Sequence, residues 1–176
     1  MKTVRILNRM DEPDISRRLS NAIVSLKSAS GVVIDSRGLS DTTNREDIQV
    51  HFLPRATRYV EIYKKGECLH FREVQVYGSN DVNKTYNLAL GKQATQKSNF
   101  NSIELAGRAV DGDLNTQIHT NCTNGTSCQP SNFPRFCVIF VSSSVLMSLF
   151  SFLSAYRPIL ESRLGQRCRG ENRSDL

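Results

Sequence analysis

The sequence predicts an all-β sandwich, and three patterns support this fold class. Residues 59–63 and 69–77 alternate apolar with polar side chains, which is the period-two pattern of half-buried strands. The charged segment 64–67 between them contains a glycine and predicts a turn. A shorter alternation at 4–6 and a hairpin pattern at 19–34 complete a series of short strands that is typical of sandwiches.

The hairpin pattern consists of an alternating stretch, a turn of small residues and a β-branched run. Residues 19–27 carry apolar side chains at alternate positions, the turn is 28–31, and residues 32–34 form the β-branched run. A helix over 15–27 is the rival interpretation. The β-branched residues and the nearby glycine favour strands.

Length, composition and charge bound the function. The 176 residues are 39% hydrophobic and 23% charged, which is typical of a folded domain with a core. The formal net charge is +6, but the basic residues are scattered and Trp is absent, which argues against nucleic-acid binding. No nucleophile, base and orienting group occur in a recognisable arrangement, so we expect a binding protein and no enzyme.

Cysteines and glycosylation sequons bear on the cellular location. The five cysteines lack zinc-binding spacing, and Cys122 and Cys128 fit a disulfide or two free thiols equally well. Residues 1–6 lack the apolar stretch of a signal peptide, whereas glycosylation sequons indicate an extracellular or cell-surface location. One explanation of this disagreement is that the true beginning of the chain is missing. Four sequons, usable in a secretory compartment, begin at Asn83, Asn121, Asn124 and Asn172.

One uncharged segment, 136–156, is rich in Val, Leu, Ile and Phe. It is long enough to span a membrane, although six serines lower its hydrophobicity. A membrane anchor with a cytoplasmic C-terminus, a buried apolar helix and a mispredicted terminal exon remain open as interpretations.

The middle of the chain has the composition of functional loops. A polar, unpatterned stretch at 79–86 predicts a linker, and residues 87–128 are dense in Gly, Asn, Thr and Asp. Within them Asp111 and Asp113 flank Gly112, and carboxylates in a tight turn are ligands that Ca²⁺ prefers. A solvated turn explains the same pattern.

Several stretches together resemble one known family. Residues 87–98 (NLALGKQATQKS) and 106–113 (AGRAVDGD) resemble the opening "NLALGKPATQSS…ASRAVDGN" of its module. Residues 4–11 (VRILNRMD), 17–22 (RRLSNA) and 68–78 (CLHFREVQVYG) are similar to its later part and its closing strand. The family is that of the F-type lectins (fucolectin/tachylectin-4), with the discoidin-like C-type domains of coagulation factors 5 and 8 as relatives.

The resemblance implies a galactose-binding-like jelly-roll β-sandwich that binds sugar beside a structural Ca²⁺. Residues 1–78 resemble the C-terminal part of one module and residues 87–128 the N-terminal part of the next, whereas 129–176 match nothing. We therefore expect an incomplete or circularly permuted sandwich. In the permuted case the two segments fold against each other, with Glu73 close to Asp111.

The resemblance also implies the residues of both sites. The calcium ligands it implies are the carbonyls of Arg72 and Arg108, the side chains of Glu73, Asp111 and Asp113, and a residue near Asn121. The sugar ligands it implies are Arg9, Arg18 or its neighbour Arg17, and His119. If Cys122 is the aligned cysteine, the histidine position falls on Asn124 instead.

Two departures from the family pattern bear on this interpretation. Glu12-Pro13 replace the adjacent cysteines that contact the apolar face of the sugar, and the Trp-rich strand expected after the calcium loop is absent. The sequence predicts Ca²⁺-dependent binding of fucose-like sugars on glycans, with homo-oligomers and membrane contact through 136–156 as further expectations. The alternatives are an adhesion segment that binds protein or lipid, and a truncated fragment without function.

Overall fold

Alternating side chains form antiparallel strands through most of the described chain. A computed structural model of the chain describes residues 1–12, 14–65, 68–121 and, as a strand, 135–139. Every strand pairing there is antiparallel. Helical structure in the same residues consists of two 3₁₀ helices, Ser16–Leu19 and Ala106–Val110. The predicted all-β class is therefore confirmed.

The strands form two larger sheets and one small sheet. The first sheet has the order β4-β1-β7, the second β3-β2-β5-β10-β8, and the small sheet pairs β6 with β9. The strands are β1 Thr3–Leu7, β2 Ile23–Lys27, β3 Val33–Gly38, β4 Asp47–His51, β5 Tyr59–Tyr63, β6 His70–Phe71, β7 Glu73–Tyr77, β8 Gln93–Gln96, β9 Ile118–His119 and β10 Arg135–Ile139.

One hydrophobic cluster lies between the two larger sheets. Val4 and Ile6 of β1 and Val60 and Ile62 of β5 are all 0% exposed and belong to this cluster. Burying one such side chain contributes about 1.5–3 kcal/mol to folding. The alternation that predicts these strands therefore also selects the residues of the core.

The predicted hairpin forms, but its first strand begins later than expected. β2 and β3 pair in antiparallel fashion around the turn at 28–31, so strands are confirmed over the rival helix. The alternation from residue 19 is wrong as a strand start, because Ser16–Leu19 forms a 3₁₀ helix and β2 begins at Ile23. Leu19 is fully buried there and points into the same core as β2.

Strands from before and after the linker lie in the same sheets. β5 pairs with β10, β10 pairs with β8, and β6 pairs with β9. After the linker the chain returns to β7, where the Leu88 N–H donates to the Val76 carbonyl at 2.7 Å and the Asn87 side chain accepts from the Val76 N–H at 2.9 Å. All described residues belong to one compact unit, Met1–Val141.

The uncharged segment is described only at its beginning. Residues 136–139 lie in β10, between β5 and β8, and residues 140–156 lie outside the described residues, as does the expected helix there. No helix in the described part of the chain has the length and apolarity to cross a membrane.

Candidate functional site

The acidic loop begins where the second 3₁₀ helix ends. Ala106–Val110 packs Ala109 and Val110 into the core, and Asp111 to Thr116 follow as an exposed turn. Gly112 has φ +83°, and a Cβ at this position would lie 2.9 Å from Leu90 Cδ1. Only glycine fits this backbone and this contact without strain.

The hydroxyl of Thr116 is surrounded by oxygen atoms. Thr116 Oγ1 lies 3.1 Å from the Arg108 carbonyl, 3.0 Å from the Asp113 carbonyl, and 3.3 and 3.2 Å from the two carboxylate oxygens of Asp111. One hydroxyl proton serves only one of these four acceptors at a time. The loop is therefore rich in oxygen and poor in positive charge, which is the composition of a site for a hard cation.

Glu73 brings a buried carboxyl group to the same place. It begins β7, is 0% exposed, and neither carboxyl oxygen makes a hydrogen bond. Burial first, and the charge of Asp111 second, raise the pKa of Glu73 to about 8. The backbone N–H of Gly112 lies close enough to oppose this rise without making a hydrogen bond of normal geometry, and the charge of Asp113 adds to the rise. An unpaired buried acid beside two aspartates requires either a proton or a cation.

The structure connects most of the predicted calcium ligands but not all of them. Glu73, Asp111 and Asp113 share one electrostatic environment, and Thr116 joins the Arg108 carbonyl to the loop. The predicted ligand at Arg72 is its carbonyl, and the side chain of this residue pairs with Glu46 at 3.4 Å. Asn121 is exposed, and its carbonyl accepts a hydrogen bond from Ser98 at 3.1 Å.

In the described part of the chain, charged side chains alone do not form a ready-made metal site. Among the described residues, no three His, Cys, Asp or Glu side chains are close enough together to chelate a metal ion. The loop also contains neutral oxygen atoms, namely the carbonyls of Arg108 and Asp113 and the hydroxyl of Thr116 itself. These neutral ligands suit Ca²⁺, which takes six to eight oxygens of mixed type.

Arg9 follows β1 and is held in one orientation. Its guanidinium makes a two-point contact with Asp11, in which Nε donates to Oδ1 at 2.9 Å and Nη2 donates to Oδ2. This hydrogen bonding lowers the pKa of Asp11 to about 2. Arg9 is only 7% exposed, so its side chain is held in place before any ligand binds.

His119 is enclosed by two rings and a carboxylate. Phe100 stacks on its imidazole with ring centroids 4.3 Å apart, and His70 meets it edge-on at 5.4 Å. Nδ1 of His119 lies 3.6 Å from Glu104, which in turn accepts from Asn101 at 2.8 Å and from Gln117 at 2.5 Å.

Arg9 and Arg18 lie near both histidines. Burial lowers the pKa of His119, and the two arginines add to this effect, whereas Glu104 opposes it. Burial lowers the pKa of His70 to about 3, with Arg9, His119 and Arg18 as further causes. Of the three predicted sugar ligands, Arg9 and Arg18 thus influence His119 through their charges.

Arg18 and Arg17 differ in their surroundings. Arg18 influences both histidines, whereas the guanidinium of Arg17 lies 3.8 Å from Asp14. The geometry therefore favours Arg18 of the two neighbours. Asn124, the alternative to His119, lies outside the described residues, as does Pro13 in the segment that replaces the family's cysteines.

Sequence reasoning missed four residues of these sites, namely Thr116, His70, Phe100 and Glu104. Thr116 carries a signal in retrospect, because a hydroxyl follows the acidic turn. It also missed a disulfide bond at Cys68. Cys122 and Cys128 lie outside the described residues.

Comparisons with protein-family models, with curated proteins and with solved structures found no match to this chain. The resemblance to F-type lectins therefore remains a prediction from the quoted motifs.

Proposed function

We propose that the protein binds a hydroxylated, fucose-like sugar through Arg9, Arg18 and His119. The observation that carries this proposal is the proximity of these three side chains, which come from positions up to 110 residues apart in the sequence. Arginines donate to hydroxyl and ring oxygens as a planar fork, and an imidazole nitrogen accepts from a hydroxyl.

Ca²⁺ is the cofactor we propose for the acidic loop. Glu73, Asp111 and Asp113, the carbonyls of Arg108 and Arg72, and the Thr116 hydroxyl would hold it. The unpartnered carboxyl of Glu73 supports this assignment, since the ion would supply the positive charge that this group lacks. Bound there, the ion would fix the loop between the second 3₁₀ helix and β9.

The finer fold we propose is a circularly permuted jelly roll of the galactose-binding-like type. The three-stranded and five-stranded sheets together have the eight strands of such a roll. The position of Glu73 beside Asp111 across the linker also supports the permutation. An extracellular or cell-surface location and homo-oligomers accompany this proposal as expectations.

Two neighbouring arginines provide the test of sugar binding. Both side chains are exposed, so Arg18→Ala and Arg17→Ala should leave the fold intact. We expect Arg18→Ala to weaken binding of fucosylated glycans at least about tenfold, because it removes a charged donor to the sugar. Arg17→Ala is the matched control and should bind like the wild type on a glycan array. Equal binding by both variants would contradict the proposal.

Thermal unfolding with CaCl₂ and with chelator tests the cation site. We expect Ca²⁺ to raise the Tm of the wild type and to have no effect on Glu73→Gln, because the amide cannot supply the anionic ligand. Glu46→Gln, which alters an exposed glutamate, should respond like the wild type. A wild-type Tm that is indifferent to Ca²⁺ would remove the cofactor from the proposal.

Adhesion to lipid or protein is a second candidate function, favoured by one surface. Phe100 is 56% exposed and Ile103 58%, and both lie in the loop between β8 and Ala106–Val110. Apolar side chains on an exposed loop are typical of interaction sites. Cosedimentation with liposomes that free sugar does not inhibit would favour this function.

A further inference from the structure

His70 lies next to the proposed sugar-binding histidine, and its polar atoms have no role in folding. It is 1% exposed, and neither ring nitrogen has a hydrogen-bond partner. A buried polar group without partners is less favourable for folding than an apolar side chain of similar size. What His70 contributes at this position therefore lies in the contacts of its ring and not in its nitrogens.

The register of the small sheet places His70 directly opposite His119. The two residues are paired across β6 and β9, and their ring planes meet at 70°. Phe100 stacks on the His119 ring at an interplanar angle of 18°. Edge-to-face and stacked arrangements are the favourable geometries of ring pairs, so the His119 ring is held by two partners.

We propose that His70 is a positioning residue that fixes the imidazole plane of His119. This inference rests on the proposed function, in which His119 presents a nitrogen to a sugar hydroxyl. His70 is too buried to contact a ligand itself and acts through His119. Its ring edge prevents the imidazole of His119 from rotating, so the nitrogen that receives the hydroxyl has one orientation before the sugar binds.

Two substitutions separate the ring of His70 from its nitrogens. His70→Phe retains an aromatic edge beside His119, whereas His70→Leu removes it. The chain has three histidines, so the imidazole carbon–proton NMR spectrum contains few signals, and the exposed His51 is an internal reference. We expect the nuclear Overhauser effects between the His119 and Phe100 rings to persist in His70→Phe, and to weaken in His70→Leu as the ring of His119 gains freedom.

Glycan affinity supplies the second measurement. We expect His70→Leu to weaken sugar binding about fivefold, the value of one aromatic pair, and His70→Phe to restore most of this loss. Val24→Ala, a core variant in β2, is the control for a general loss of stability. Unchanged Overhauser effects between His119 and Phe100 in His70→Leu would overturn the proposal. A wild type that binds no glycan would refute sugar binding, and weakened Overhauser effects in His70→Leu would still support the positioning role.

Discussion

At the scale of single residues, the unusual feature of this chain is a set of buried ionisable groups near exposed loops. Glu73 and His70 lie three positions apart, and both are fully or nearly fully buried without hydrogen-bond partners. Burial keeps both groups neutral near pH 7, since it raises the pKa of the acid and lowers that of the base. Each neutral group adjoins one of the two proposed sites.

Gly112 provides a test of the acidic loop at a single atom. We expect Gly112→Ala to lower the free energy of unfolding by about 1–3 kcal/mol, because its φ of +83° is unfavourable for alanine and the added Cβ meets Leu90. Chemical denaturation measures the change. Gly107→Ala, whose Cβ would contact nothing within 4 Å, is the control and should lose little stability. Similar losses in both variants would contradict the strained-turn explanation.

His70 predicts how stability depends on pH. Its pKa is about 3 in the folded chain and near 6.5 when exposed, so between these values the unfolded chain binds a proton that the folded chain does not. The free energy of unfolding should therefore fall as the pH is lowered from 6.5 towards 3, by up to about 1.4 kcal/mol per pH unit from this residue. Above pH 6.5 the contribution is constant.

A comparison with His70→Leu in chelator isolates this contribution. Glu73 acts in the opposite direction, because its raised pKa adds stability as the pH falls from about 8 to 4.5. Both proteins contain Glu73, so the difference between their pH profiles reports His70. We expect the variant to lose less stability in acid. Parallel profiles would show that His70 is protonated in the folded state.

At the scale of elements, β10 is the strand that joins the two parts of the five-stranded sheet. It pairs with β5 through five residues and with β8 through four, so it joins strands from the two sides of the linker. In the strand register, the backbone of Val138 is paired with Val60 of β5 and with Ala94 of β8. Without β10, the inner edges of β5 and β8 would lose these backbone partners.

Proline at position 138 tests this arrangement. We expect Val138→Pro to give insoluble or unfolded protein, because proline lacks an N–H donor and is excluded from inner strands. Val138→Ile keeps the donor and the β-branched shape, so it should remain folded by circular dichroism. A folded, soluble proline variant would mean that residues 135–139 do not occupy the inner position.

The elements also show what the sequence could and could not predict. β5 and β7 were predicted because Val60, Ile62, Val74 and Val76 alternate with polar residues on half-buried surfaces. β8, Gln93–Gln96, has Ala94 as its one apolar residue, so its alternation of exposed and half-buried side chains leaves no apolar pattern in the sequence. β10 lies in an apolar run, and such a run is compatible with a buried strand as well as with a membrane span.

The site residues likewise divide into those that a sequence pattern predicts and those that depend on tertiary packing. The acidic turn of Asp111 and Asp113 is local and visible as a pattern, whereas the approach of Glu73 depends on how β7 packs against the second 3₁₀ helix. Arg9, Arg18 and His119 came from the family resemblance alone. Phe100 and Glu104 could not be predicted, because their contacts with His119 depend on the path of the loop before Ala106–Val110.

At the scale of the whole molecule, the linker joins two segments that share the five-stranded sheet and the small sheet. Its own structure is local, since the Asp81 carboxylate accepts from the Thr85 N–H at 2.9 Å and from the Tyr86 N–H at 2.7 Å. Val82, between Asp81 and Thr85, is 85% exposed. The peptide bond after Val82 therefore links the two segments and adds nothing to the buried core.

This arrangement predicts that the chain can be cut at the linker and still assemble. We expect co-expressed fragments 1–82 and 83–176 to purify together and to give the far-ultraviolet spectrum of the intact protein, because the pairings of β5 with β10 and β6 with β9 bring them together. Each fragment alone should aggregate, since it exposes core residues that the other fragment covers in the intact chain. Their stability should rise with concentration, because folding of two fragments is bimolecular.

A cut after Glu61, within β5, is the control, because it divides a strand with partners on both edges and should prevent assembly. Independent folding of fragment 1–82 would contradict the single shared core, and with it the convergence of Glu73 and Asp111 on which the cation site depends.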